Sequence, residues 1–227
     1  MTAAEFLAER EADPKARLRR ERNERERERR VESVRRAAAP VVADLRAAGF
    51  EVDAIGDLVK RGMRFEAAVP VLVRSLARID DSEVKESIVR ALTVPWAKPQ
   101  AAPALLEAFP VADDPTGTGL RWAIANALTV VADDSVLPEV AELAQDRSFG
   151  RAREMLPLAL ANMRARRDDA IEVLGKLLDD EEVAGHAVIA LGKLKAADQR
   201  AAIVPFLRHP KSWVREEAKQ ALARIDA

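Results

Sequence analysis

Val214-Arg215-Glu216-Glu217-Ala218-Lys219-Gln220-Ala221-Leu222 decides how the rest of this 227-residue chain is read. Its apolar members Val214, Ala218, Ala221 and Leu222 fall at i, i+4, i+7 and i+8, which is one face of an α-helix. The same set recurs as Val183, Ala187, Ala190 and Leu191, as Leu120, Ile124, Ala127 and Leu128, and as Val84, Ile88, Ala91 and Leu92. Met155, Ala159, Asn162 and Met163 make a looser copy. The small residue in the middle of each set lets a neighbouring helix come close.

An apolar stretch precedes each copy: Val69-Leu72-Leu76, Ala102-Leu105-Phe109, Leu137-Val140-Ala144, Ile171-Leu174-Leu178 and Ile203-Phe206. Their central residues Leu72, Leu105, Val140, Leu174 and Phe206 are 33, 35, 34 and 32 positions apart. A recurrence of this length marks a solenoid, because a lone helix pair cannot bury its stripe whereas stacked pairs share one core. The chain is therefore expected to be all-α, an α-α superhelix of about five pairs, at about 65–94, 99–131, 135–164, 168–194 and 199–226.

Trp213-Val214-Arg215-Glu216-Glu217-Ala218 and Val183-Ala184-Gly185-His186-Ala187-Val188-Ile189-Ala190-Leu191-Gly192 resemble the HEAT-repeat family, most of all its short bacterial type grouped with phycobilisome-lyase-like repeats. The resemblance covers about residues 65–227. It implies a HEAT-like solenoid whose second helices line the concave side, used as a scaffold for protein–protein interaction. Fold alone does not fix function, so the partner is not named by it.

Composition narrows the classes further. Hydrophobic residues make up 48% of the chain but aromatics only 4%, with no tyrosine, so alanine and the aliphatic residues must fill the interior. A net charge of −1, divided as +3 over the first 36 residues and −4 over the remainder, argues against a whole-protein grip on nucleic acid or anionic membrane. The absence of cysteine excludes disulfide and thiol chemistry. No run of 18 apolar residues is present to span a bilayer, and the charged first twenty residues have no apolar signal segment. A cytoplasmic location is the default expectation.

Ahead of the repeats, residues 1–13 read as a weakly amphipathic acidic stretch with Phe6 and Leu7 as its large apolar members. Lys15 to Arg36 carries eleven basic residues against five glutamates. Glu21–Arg25 and Glu26–Arg30 are favourable i,i+4 pairs, each worth about 0.2–0.5 kcal/mol. Residues 1–36 are thus expected to form a solvated helical or flexible extension, with nucleic acid possible as a ligand of residues 15–36. Its interspersed glutamates repel phosphate, however, and it offers no aromatic for a base to stack on. Residues 37–64 should cap the array as a helix pair, with Pro40 opening the first helix, Gly49 ending it, and Val52–Lys60 forming the second.

Candidate chemistry is sparse. Five Asp-Asp pairs, at 80–81, 113–114, 133–134, 168–169 and 179–180, fall between expected helices, where aspartate is a favoured N-cap. The loop Asp113–Gly119 lacks the lysine of a phosphate loop. His186 and His209, the only histidines, make no zinc set. Pro157 should kink the third second-helix, and Pro205 should delay or bend the last first-helix. Trp96, Trp122 and Trp213 read first as packing between pairs, with Trp122 the best candidate anchor. On the second helices Arg121, Trp122, Asn126, Arg151, Arg153, Asn162, His186, Lys193, Arg215 and Lys219 are placed as a polar strip for a protein partner. No cofactor and no metal are expected, and no catalytic residue is assigned. The alternative reading is a nucleic-acid-binding protein or a HEAT-like alkylpurine DNA glycosylase, which the negative repeat region disfavours. A phycobilin-lyase-type enzyme finds no chromophore cradle in the sequence.

Overall fold

The computed structural model describes residues 14–60, 62 and 64–227. The acidic stretch 1–13 lies outside them. Among the described residues the regular structure is entirely helical. Five antiparallel pairs follow one another: α3 (Val69–Arg78) with α4 (Ser82–Leu92), α5 (Ala101–Val111) with α6 (Leu120–Val131), α7 (Leu137–Gln145) with α8 (Leu156–Leu160), α9 (Arg167–Lys176) with α10 (Ala184–Lys193), and α11 (Arg200–Ile203) with α12 (Ser212–Asp226). They are preceded by α1 (Pro14–Ala47) and the four-residue α2 (Asp57–Lys60).

The repeated apolar set is the core. Val84, Ile88, Ala91 and Leu92 are fully buried, as are Val183, Ala187, Ala190 and Leu191. Each such leucine or isoleucine contributes about 1.5–3 kcal/mol on leaving water. Successive second helices α4, α6, α8, α10 and α12 stack directly on one another, while the first helices meet their neighbours less closely. The second helices therefore make the more closely packed row of the stack.

Aspartate opens α4 and orders several of the turns that lead into other helices. Asp81 accepts from the N–H groups of Glu83 and Val84, both at 3.0 Å, and opens α4. Asp133 holds the N–H of Ser135 at 3.0 Å, and Asp180 that of Glu182 at 3.2 Å. Asp168 and Asp169 depart from the expected capping role, since they lie inside the first turn of α9. There Asp134 of the preceding pair accepts from the N–H of Arg166 at 3.0 Å instead.

The third pair is the irregular one. Residues Arg147–Arg153 run in tight 3-10 turns broken by Gly150 at φ 51°, and α8 begins only at Leu156. Pro157 therefore sits in the first turn of a five-residue helix, where its missing N–H costs nothing, and not in the middle of a longer one. The looser apolar set is correspondingly incomplete: Ala159 and Met163 are buried, Met155 is half-buried and Asn162 is exposed. Near Pro205, α11 stops at Ile203 and the chain continues in 3-10 turns to Arg208.

The N-terminal region departs furthest from expectation. Pro40 does not open a helix, because α1 runs through it for 34 residues and the boundary expected at 36/37 falls inside α1. Pro40 is exposed, so its ring and its missing donor face solvent. Val41 and Leu45 anchor the last turns of α1 beside α3 and α4, and Gly49 at φ 91° ends the segment. Ion pairs along α1 include Arg17–Glu21, Arg22–Glu26 and Glu32–Arg36, while Arg30 reaches across to Glu83 of α4. The second capping helix is cut to α2, because the Asp57 carboxylate accepts from the N–H groups of Asp53 and Ala54 and holds 53–56 as a loop.

Candidate binding surface

The row of second helices carries a polar and aromatic cluster at the N-terminal ends of α6, α8, α10 and α12. The Trp122 indole N–H donates to Glu154 Oε1 at 2.8 Å, and Arg151 Nε lies 3.1 Å from the other oxygen of the same carboxylate. One pair further on, the His186 and Trp213 ring centroids are 5.4 Å apart. A cavity of about 400 Å³ opens here, bounded by Arg151, Glu154, Glu182, His209, Lys211 and Trp213. Trp213 is 44% exposed, unusual for the largest apolar side chain of a chain so poor in aromatics.

Glycine lets the indole sit there. A methyl group at Gly185 would overlap the Trp213 ring, and one at Gly192, two turns on, would stand 2.6 Å from Ala221 Cα. Gly192 thus brings the α10 backbone onto that of α12, while Gly185 makes room for the Trp213 ring. Burial lowers the His186 pKa; Glu154 raises it, Arg151 lowers it and Glu217 raises it, with a net fall below 6.5. His186 is therefore mostly neutral at pH 7, and its ring packs tilted by 52° against that of Trp213.

The ten residues placed on the strip separate into groups. Trp122, Arg151 and His186 belong to the cluster just described. Arg153 does not lie on a surface at all. It is 1% exposed, bonded to Asp180 at 2.9 Å, to the carbonyl of Ala144 at 2.7 Å and to that of Gly150 at 2.9 Å. The 3-10 turns before it rotate its side chain inward, where it joins the third pair to the start of α10. Arg121 is half-buried, its guanidinium taken up by the carbonyls of Phe109 and Ala112 and lying 5.0 Å from the Phe149 ring centre. Arg215 bonds the carbonyls of His209 and Pro210, both at 2.8 Å, and so fixes the turn beside the cavity.

The remaining four sit away from the cluster. Asn126 is half-buried in the middle of α6, and Asn162 donates to the carbonyl of Thr129 at 2.5 Å. Lys193 is exposed at the end of α10, and Lys219 lies 3.3 Å from Glu216 on α12. Trp96 packs edge-on against Phe65 at 5.5 Å, as a spacer between pairs.

The loop 113–119 is more than a connection. Asp114 gathers the N–H groups of Gly119 at 2.9 Å and Arg121 at 3.0 Å and the hydroxyl of Thr116 at 3.0 Å. Burial raises its pKa, but these bonds together with the N–H of Trp122 outweigh burial and leave it below 3.8. Asp114 therefore positions the Trp122 end of α6. Among the described residues no group of three or more His, Cys, Asp or Glu side chains could hold a metal ion. No helix among them is long and apolar enough to cross a membrane.

Residues 171–227, most of the fourth pair and all of the fifth, match the family model for HEAT repeats. Over those residues the chain is a HEAT-repeat protein. The other pairs of this HEAT-like array are joined to the matched ones by the same apolar set and the same stacking of second helices. A designed armadillo repeat protein has a similar structure, with a TM-score of 0.50 and 20% identity over 86% of this chain and 92% of that chain. An engineered protein of solved structure is 24% identical over 86% of this chain and 89% of that chain, with a TM-score of 0.48. No curated protein sequence matches.

Sequence reasoning missed Glu154 as the acceptor of Trp122 and took Trp213 for a packing residue. Gly185 was the available signal for Trp213. A glycine inside a helical copy, 28 positions before a tryptophan that opens the next copy, marks a place where a ring lies against a backbone.

Proposed function

We propose that this HEAT-like repeat protein is a non-catalytic interaction module that holds a protein partner on its concave face, centred on the cluster between Trp122 and Trp213. The exposed Trp213 indole at the mouth of a cavity edged by charges of both signs carries this reading. Tryptophan dominates affinity at protein interfaces, where a few anchors contribute most of the binding energy. Glu154, with Trp122 and Arg151 bonded to it, forms a fixed floor that needs no rearrangement before contact.

Affinity capture with the full chain and with Trp213→Ala, followed by quantitative mass spectrometry, tests the reading. The partner set of the wild type should be lost from Trp213→Ala while the variant keeps its helical content and a cooperative melt, lowered only by the ring's lost contacts with Gly185 and His186. An unchanged set would remove this surface from consideration.

A second reading rests on one observation: the arginine-rich part of α1 projects with its basic side chains exposed. Nucleic acid is the ligand it would suit. Gel shifts at two salt concentrations decide between them, since phosphate contacts weaken steeply with salt. The i,i+4 bridges to Glu21, Glu26 and Glu32 already neutralise part of that charge, which favours the protein partner.

A further inference from the structure

Along the array α6, α8 and α10 each lie between two other second helices, whereas α4 and α12 each have one on one side only. At the N-terminal end the other side of α4 is met by α1, which packs against it and is tied to it by the Arg30–Glu83 ion pair. The residues that would have extended α2 into a full helix, 53–56, form a loop. Beside α4 this leaves an open trough of about 780 Å³. Val31, Val34, Ala38 and Val42 of α1 form one wall, Ile55 and Gly56 of the loop form the end, and Val84 and Ser87 of α4 form the other wall. Val31 is 60% exposed, and Ala39 and Ala43 on the same wall are exposed too.

We propose that this trough binds an acidic amphipathic helix of a partner protein, laid along the seam between α1 and α4. The site is separate from the Trp122–Trp213 cluster, at the far end of the same row. The shape follows from the fold: α1 and α4 are in contact, and the small and branched side chains along their seam leave a groove on which a third helix can lie with its i, i+3, i+4 and i+7 residues facing inward. The charge follows from the rim. Arg35 stands at the edge with no ion pair among the described residues, Arg46 stands at the other end beside Asp53, and the adjoining part of α1 continues the rim with an excess of arginine over glutamate. A partner helix with glutamate or aspartate on its outer flanks meets this field; a basic helix is repelled. The walls offer apolar contact and no aromatic ring, which suits a peptide and not the bases of a nucleic acid.

The test uses the full chain and a fluorescein-labelled peptide of about four helical turns. The peptide has leucine and isoleucine on the inward stripe and glutamate elsewhere. A second peptide replaces glutamate by lysine, and a third scrambles the first. Anisotropy should show saturable binding of the glutamate peptide, at least about tenfold tighter than of either control. Ala39→Glu, at an exposed position that does not support the core, should weaken it at least about tenfold with an unchanged melting temperature. Arg35→Glu should weaken the glutamate peptide and strengthen the lysine one. Trp213→Ala should leave all of this unaltered, which separates the result from the fate of the concave-face reading. Equal binding of the scrambled peptide, indifference to Ala39→Glu, or displacement of the peptide by a single-stranded oligonucleotide would overturn the proposal. So would a dimer in sedimentation velocity that Ala39→Glu dissociates, since the trough would then belong to a second copy.

Discussion

At the C-terminal end of the array α10 and α12 pack closely, the Gly192 backbone against that of Ala221 and Gly185 against the Trp213 ring. At the N-terminal end α1 and α4 meet along a seam that leaves an open trough of about 780 Å³. Both ends are built from the same kind of amphipathic helix. The difference lies in what each copy places at its contact points and in whether a full second helix is present to make the contact. Close packing at one end locks the helices; the short α2 at the other leaves a surface with unmet apolar contacts. The family match falls on the locked end, where the sequence obeys the repeat most strictly.

The largest expected effect lies at the joint that connects the locked end to the rest. Arg153 and Asp180 form a buried ion pair, and Asp180 also caps the turn before α10. Arg153→Met leaves that carboxylate buried beside only the exposed Arg147, whose Nε stands 3.5 Å away. A loss of about 3–5 kcal/mol is expected, read as a lower urea midpoint. Arg153→Met with Asp180→Asn should recover a good part of it, because no uncompensated charge remains. A single variant as stable as the wild type would show that the joint does not hold the C-terminal pairs.

Gly192→Ala comes next. Its new methyl meets Ala221 backbone atoms that cannot turn aside, so about 1–3 kcal/mol should be lost. Gly175→Ala supplies the control, since its methyl meets only the Gln199 side-chain amide, at 3.0 Å, which can swing away. If both substitutions cost the same, the close approach of α10 and α12 is not what distinguishes this end.

Between the two ends, Asp114→Asn removes the charge that gathers the N–H groups at the start of α6. A loss of about 1–2 kcal/mol at neutral pH is expected. The folded pKa of Asp114 lies below 3.8, so its contribution is complete above that value and disappears as pH falls through the folded pKa. Wild type and variant should therefore converge in stability in acid, below pH 3.8. Curves that stay parallel there would assign the loss to packing and not to the carboxylate.

The pattern of these sites explains how much of the molecule was legible in advance. Val84, Ile88, Ala91 and Leu92 announce a buried face because helical periodicity alone dictates it. The aspartate caps were readable for the same local reason. Arg153 was not: its position on the repeat template put it on the polar strip, and only the 3-10 turns after Gly150 send it inward to a partner 27 positions away. The shortening of α2 was equally hidden, since it depends on Asp57 folding back on Asp53 and Ala54. Trp122 stood out as a rare aromatic on a second helix, but its acceptor Glu154 lies 32 positions on and is brought near by stacking alone. Local periodicity writes the helices, whereas the contents of the binding surface come from contacts one repeat apart.

Gly56→Ala is the smallest effect and the sharpest comparison with Gly192→Ala, because it makes the same chemical change at the opposite end. Gly56 has nothing within 4 Å of the position a methyl would take, and its backbone lies outside the left-handed region that excludes alanine. The methyl would project into open space at the end of the trough. Removing a glycine also restricts the unfolded chain, which stabilises a protein by about 0.4–1 kcal/mol where the native backbone permits it. The melting temperature should therefore hold or rise slightly. If the trough is a docking site, the same methyl narrows its end and should reduce affinity for the glutamate peptide without touching stability. A loss of more than about 1 kcal/mol would mean that the loop 53–56 is packed as closely as α10 against α12, and the contrast between the two ends would fail.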